Sequence, residues 1–183
     1  MDRRLLLVLA AGLVIAGVCI YRVQTNKPLD YAAQVQAATS YVPAPPFEGV
    51  DENNEMFRLS SYLGRHRIIV VFYDGAAGAD RSRELADLRD RADELKQQDV
   101  KVVAVSTAIP QENRRALSTL GSLPIPLISD VDFSIHRRWG RMSAGEKPLT
   151  GLFLIDRKGT VAFQAGTPRP YATLDELWKD VQR

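Results

Sequence analysis

Thiols are nearly missing from this chain: its 183 residues include one cysteine, Cys19. A single thiol rules out an internal disulfide framework and a Cys-x-x-Cys redox pair. Histidine is almost as scarce, at two residues, His66 and His136. With no cysteine beside them and no helical His-x-x-x-His spacing, they make no zinc site, so no metal is expected. A glycine-rich phosphate loop of the Walker type is absent too, and no cofactor is expected. The chain also lacks an excess of either charge. Its formal charge of +2 is accounted for by Asp2, Arg3, Arg4 and Arg22, and beyond residue 22 basic and acidic residues balance. A neutral body of this kind is not a general binder of nucleic acid or acidic surfaces. The local basic clusters, Arg65-His66-Arg67 and His136-Arg137-Arg138 with Arg141, read as solvated faces.

The chain is otherwise ordinary globular material, 45% apolar and 25% charged, after one long apolar run. Leu5 and Tyr21 bound that run, and no residue from 5 to 21 is charged. As a helix it rises roughly 26 Å, the hydrocarbon thickness of a thin bilayer. Arg3 and Arg4 ahead of it leave the N-terminus in the cytoplasm and export the remainder of the chain, against a weaker pull from Arg22 and Lys27. A cleaved signal peptide needs a small-x-small site close behind the run, and the nearest, Val35-Gln36-Ala37, lies far downstream. A lipid-bearing Cys19 would come directly after Ala16-Gly17-Val18, where the branched Val18 fits poorly. Residues 1–23 therefore read as an uncleaved single-pass membrane anchor, with Cys19 a small apolar side chain facing lipid. Residues 24–41 read as a tether with a short helix at 29–38, stiffened by prolines where it meets the domain. Residues 42–183 form the folding unit, long enough for one sizeable core, in an extracytoplasmic compartment (periplasm, lumen or cell exterior).

Within that unit, residues 67–73 form a continuous β-branched and aromatic run, expected of a central strand buried on both faces. The segment Asp74-Gly75-Ala76-Ala77-Gly78 breaks it. A helix is predicted over 80–98, with Leu85, Leu88, Ala92 and Leu95 on one stripe. Next come a second strand over 100–106, a helix from Pro110 to about Leu120 and a short strand over 124–128. A helical stretch at 131–139 is then expected, and after it a hairpin of strands 151–155 and 160–165 turning at Asp156-Arg157-Lys158-Gly159. A helix over 174–181 closes the chain. The expected class is α/β, a mixed sheet with helices on both faces.

Four passages in this order resemble the peroxiredoxin (AhpC/TSA) family of the thioredoxin-like fold. The first is Ala44-Pro45-Pro46-Phe47 with Asp51-Glu52-Asn53-Asn54 and Leu59-Ser60-Ser61-Tyr62-Leu63-Gly64. The others are Val70-Val71-Phe72-Tyr73, then Ala104-Val105-Ser106, then the run from Gly151 through Leu152-Phe153-Leu154-Ile155-Asp156 to Gly159. The resemblance implies a thioredoxin-like fold and, by family habit, a site Pro-x-x-x-Thr-x-x-Cys after Phe-Tyr, with an Arg ahead of the late hairpin. Here Asp74 stands at the Pro position, Gly78 at the Thr, Arg81 at the nucleophilic Cys and Thr150 at the Arg. Glu84 keeps the family's acidic residue and supports the register. A guanidinium stays protonated and is no nucleophile, so the site reads as degenerate, with no catalytic residue.

Such a site has several conceivable uses. Arg81 with Gly78, Asp80 and the backbone N–H groups of residues 78–81 makes an anion- or partner-binding pocket at a helix N-terminus; alternatively Asp80 and Glu84 simply neutralise Arg81 at the surface. Ser106 and Thr107 are hydroxyls with no His/Asp pairing indicated near them, and Trp139 reads as core. The leading expectation is a membrane-anchored, non-catalytic binding or scaffolding module with a protein partner near the membrane, or a second copy of itself. The alternative is a peroxide- or thiol-linked oxidoreductase, as the family resemblance implies. A third is an enzyme using Asp74, Asp80 or Glu84 as acid or base.

Overall fold

The computed structural model describes residues 40–121 and 125–183. The expected anchor with Cys19 and the expected helix at 29–38 lie outside the described residues, as does Pro124. Among the described residues nine strands form one mixed sheet in the order β1-β8-β7-β4-β5-β6-β2-β3, with β9 beside β8. Its centre is β4 (Arg67–Phe72), parallel to β5 (Val100–Ser106) and antiparallel to β7 (Gly151–Ile155). The short β6 (Leu127–Ser129) continues the parallel set beside β5. Beyond it sit β2 (Glu48–Val50) and β3 (Met56–Arg58), an antiparallel hairpin within the first passage of the family resemblance. The expected late hairpin is β7 with β8 (Thr160–Gln164), succeeded by β9 (Thr167–Pro168). At the other edge β1 (Ser40–Pro43) pairs with β8, so Ser40 and Tyr41, ahead of the boundary expected at 42, belong to the sheet.

Strand alternation sends β4 into two separate cores. Ile69, Val71 and Tyr73 join Leu85, Leu88, Leu95, Leu120, Leu177 and Trp178 on one face. Ile68, Val70 and Phe72 join Phe47, Leu59, Ile135, Trp139 and Phe153 on the other. Each fully buried aliphatic or aromatic side chain contributes about 1.5–3 kcal/mol, and β4 with Tyr73 supplies six such positions in a row. Trp139 is fully buried, as read, packing edge-on to Phe153 at 5.1 Å.

Two helical segments differ from expectation. The segment predicted as one helix over 80–98 is a 3₁₀ turn (Ala79–Arg81), then α1 (Arg83–Asp90), then α2 (Ala92–Gln97). Ser82 is extended and its hydroxyl accepts the Leu85 N–H, so it caps α1 and cuts it off from the turn before. The helical stretch predicted at 131–139 shrinks to α4 (Ser134–Arg138). There the Asp130 carboxylate takes the Ile135 and His136 N–H groups, which holds the preceding residues in a turn. Residues 110–120 and 174–181 form α3 (Pro110–Leu120) and α5 (Leu174–Val181) as expected. The crossovers β4→β5 and β5→β6 step in the same direction, so right-handedness puts α1, α2 and α3 on one face. The N-terminal half of α3 is thereby brought against the loop after β4.

Candidate functional site

That loop is built by its own first residue. Asp74 Oδ1 accepts the N–H groups of Ala76 at 3.0 Å and Ala77 at 3.4 Å, and its carbonyl accepts that of Gly78 at 3.1 Å. An Asx turn of this kind folds the chain back without help from elsewhere. Gly75 lies where a Cβ would stand 2.7 Å from the Ala108 nitrogen, so the loop can lie against the end of β5 only with glycine there. Gly78 has φ +93° and ψ 152°, a region essentially reserved for glycine, and a Cβ on it would sit 2.6 Å from Asp80 Oδ1. Threonine at this position would need a different backbone, so the difference at Gly78 extends beyond one side chain.

Arg81 closes the 3₁₀ turn, its N–H donating to the Gly78 carbonyl at 3.2 Å. The sequence placed it on the first turn of a helix; instead it precedes Ser82, the cap of α1. Its side chain is exposed and has no ion pair or hydrogen bond among the described residues. Glu84 accepts from the Ser82 hydroxyl at 3.0 Å and makes no ion pair with Arg81. Thr150, exposed, precedes β7, whose Gly151 is opposite Phe72, so the structure brings Asp74, Gly78, Arg81, Glu84 and Thr150 to one end of the sheet.

An anion pocket at Gly78, Asp80 and Arg81 meets two obstacles. The Gly78 and Arg81 N–H groups are already bonded inside the loop, and the Asp80 carboxylate stands over Gly78, where it repels an anion. Gly78 and Asp80 also line a groove of about 400 Å³, with Gly75, Ala76 and Ala77 on the same wall and Glu112, Arg115, Ala116 and Thr119 of α3 on the other. Glu112 is held by the Ile109 N–H, which it accepts at 3.2 Å. The α3 wall was missed from the sequence, although right-handed crossovers taken with the strand order imply it.

Beneath the loop the polar groups are paired and buried. Tyr73 donates its hydroxyl to Asn113 Oδ1 at 2.7 Å, and Asn113 Nδ2 donates to Ser129 Oγ at 3.3 Å. Burial pushes the Tyr73 phenol up to about 12, so it is no base at neutral pH. The buried Ser106 hydroxyl accepts the Ala108 N–H at 3.2 Å. A His/Asp pair does exist near Ser106. Asp130 and His136 are both buried, with Nδ1 and Oδ2 2.6 Å apart. Burial alone would raise the Asp130 carboxyl, but hydrogen bonds from the His136 ring and from the His136 and Ile135 backbone hold it below its usual range. A carboxylate only accepts, so Nδ1 carries the hydrogen. The pair does not activate Ser106. His136 packs on Phe72 at 4.9 Å in the second core, whereas Ser106 shares the opposite face with Ala104. His136 is thus no part of a solvated basic face, while Arg137 and Arg138 are exposed as read and Arg141 is partly covered. His66 meets Asp99 at 2.9 Å near the start of β4.

Comparison with known proteins gives this geometry its relatives. The family model described as AhpC/TSA family matches residues 42–164, a stretch without cysteine. Peroxiredoxin Bcp of Escherichia coli (strain K12) is 32% identical over 125 residues, covering 64% of this chain and 79% of the relative. Alkyl hydroperoxide reductase E of Mycobacterium bovis is 28% identical over 141 residues, covering 75% and 91%. Among solved structures, peroxidoxin BcpB from Mycobacterium tuberculosis aligns with a TM-score of 0.58 at 23% identity, over 67% of this chain and 82% of that one. The reduced 2-Cys peroxiredoxin of Plasmodium vivax aligns with a TM-score of 0.61 at 20% identity, over 78% and 81%. These likenesses establish the thioredoxin-like fold, and the family match over most of the described residues establishes descent: the chain belongs to the AhpC/TSA family.

Proposed function

We propose that this is a membrane-anchored, extracytoplasmic AhpC/TSA-family domain that binds or scaffolds another protein and does not reduce peroxide through a cysteine. The observation that carries this reading is the residue at the family's nucleophile position. Arg81 has no nucleophilic form at physiological pH, and it sits in a 3₁₀ turn before the helix cap. Around it, the Gly78 backbone excludes threonine. The groove between the loop and α3 offers a wall of small residues with charges of both signs, a surface suited to a partner's polar segment. Anchoring rests on the uncharged run over residues 5–21 with Arg3 and Arg4 ahead of it.

A second reading has support in the names of the relatives, which are peroxiredoxins and a hydroperoxide reductase: a peroxide- or thiol-linked oxidoreductase. One experiment separates the two. Peroxide consumption is measured on the full chain in detergent, with dithiothreitol as reductant, for the natural sequence and for Cys19→Ser. The binding reading expects both to match buffer. Turnover that disappears in Cys19→Ser makes the anchor thiol the reactive group, and turnover that survives it demands chemistry without cysteine; either result replaces the proposal with the oxidoreductase reading.

A further inference from the structure

Four arginines among the described residues are neither fully exposed nor fully buried: Arg67, Arg89, Arg91 and Arg141. Three have acceptors. Arg67 donates to the Val181 carbonyl, Arg89 to Asp90 and the Leu120 carbonyl, and Arg91 to Asp175. Arg141 has none. No carboxylate lies within ion-pair distance of it among the described residues, and its Nε is buried without a hydrogen-bond partner. Two residues earlier Trp139 Nε1 is also buried and unpartnered. Both side chains flank the Phe153 ring, with the Trp139 ring centre 5.1 Å and the Arg141 guanidinium carbon 5.9 Å from its centroid.

An Nε–H withdrawn from water without an acceptor is costly, even where the rest of its guanidinium is partly exposed. Contact with an aromatic face returns only about 0.5–2 kcal/mol. Burial accordingly pulls the Arg141 pKa down from its ordinary value. The backbone that carries the group is nevertheless held in place. The Arg141 N–H donates to the His136 carbonyl at 2.7 Å, and its carbonyl accepts the Leu149 N–H at 2.9 Å. The floor under the side chain is Gly151, where a Cβ would stand 3.4 Å from Nε and 3.4 Å from Pro170. Gly151 is opposite Phe72, two residues before Asp74, so this cation stands at the same end of the sheet as the degenerate site.

We infer that the Arg141 guanidinium is a binding site for a carboxylate group, which supplies the acceptors that the described chain does not. A planar guanidinium recognises a carboxylate through two parallel hydrogen bonds, a match that neither chloride nor a lysine ammonium reproduces. The same chemistry is offered by a small free carboxylate and by an acidic side chain or C-terminus of a partner protein. The inference does not depend on the absence of peroxidase activity, since turnover in the peroxide assay leaves it untouched.

The test is a side-chain NMR titration of the ¹⁵N-labelled full chain in non-ionic detergent, with the Arg141 Nε–H signal identified by its loss in Arg141→Lys. Sodium acetate and a short glutamate-rich peptide are added in parallel, against sodium chloride at matched ionic strength. The expected result is a saturable shift of the Nε–H signal with acetate or peptide and none with chloride. Saturation by acetate points to a free carboxylate, and saturation by peptide alone points to a protein partner. Backbone shifts around Gly151 in Arg141→Lys should need about tenfold more of the same probe, the loss of one bidentate pairing. If Arg141→Lys does not fold, the natural chain decides alone, by whether acetate or peptide raises its Tm above the chloride control. A response that is linear, or equal with chloride, overturns the inference.

Discussion

At Gly78 the backbone adopts φ +93°, ψ 152°, with Asp80 Oδ1 occupying the space a side chain would take. Gly78→Thr, the substitution toward the family pattern, is therefore expected to destabilise the domain by about 1–3 kcal/mol, read as a lower urea midpoint. An unchanged midpoint would mean that the loop re-forms freely in the family's conformation. The second residue-scale consequence lies at Asp130. Its carboxyl is held below the ordinary value by hydrogen bonds that outweigh burial. A lowered folded pKa contributes stability that is present above the unfolded value of about 3.9 and lost as pH falls through the folded one. Asp130→Asn should cost about 1–3 kcal/mol near neutrality, because the amide nitrogen cannot accept and leaves a buried donor of His136 unsatisfied. It should also flatten the fall in stability below about pH 4. Urea titrations at several pH values check both, and an equally steep acid limb in the variant would exclude Asp130 as its source.

The elements owe their places to polar pins as much as to their apolar faces. Tyr73 at the end of β4, Asn113 on α3 and Ser129 on β6 form one buried chain of hydrogen bonds. Tyr73→Phe keeps the ring and strands the Asn113 carbonyl oxygen, an expected cost of about 1–3 kcal/mol. The alkaline limb carries a second signature. With a folded pKa of about 12 and an unfolded one of about 10, the phenol's contribution is full below pH 10 and disappears as pH rises to 12. Tyr73→Phe should lack that loss, measured as stability against pH over this range. Element boundaries were only partly legible in the sequence. The apolar stripe Leu85, Leu88, Leu95 is buried as read, but periodicity carries no record of the Ser82 cap, so one helix was expected where three helical pieces stand. Likewise a helical period over residues 131–139 does not reveal that Asp130 consumes the first N–H groups of α4.

At the scale of the whole molecule the sheet separates two apolar cores that share no side chain. Leu88→Ala in one should cost about 2–5 kcal/mol and Ile135→Val in the other about 0.5–1.5 kcal/mol. Because the pair is divided by the sheet, the double variant should equal the sum within about 0.5 kcal/mol by urea denaturation. A larger coupling would show that the two faces respond to packing as one. The fold class was legible because β4 is apolar at nearly every position, the helices keep a stripe, and the late hairpin keeps its turn residues; these are local patterns, carried in neighbouring residues. The absence of thiol chemistry from residues 40–183 was also settled by sequence, since a missing cysteine is missing in any conformation. Tertiary structure decided the features that depend on residues far apart in the chain or on the path of the backbone. It set Asp80 over Gly78, joined the loop to α3 as a groove, buried His136 against Asp130, and left Arg141 without an acceptor. Each of these is a matter of distance within a folded loop, across the sheet or between helix and loop, and spacing along the chain does not encode such distances.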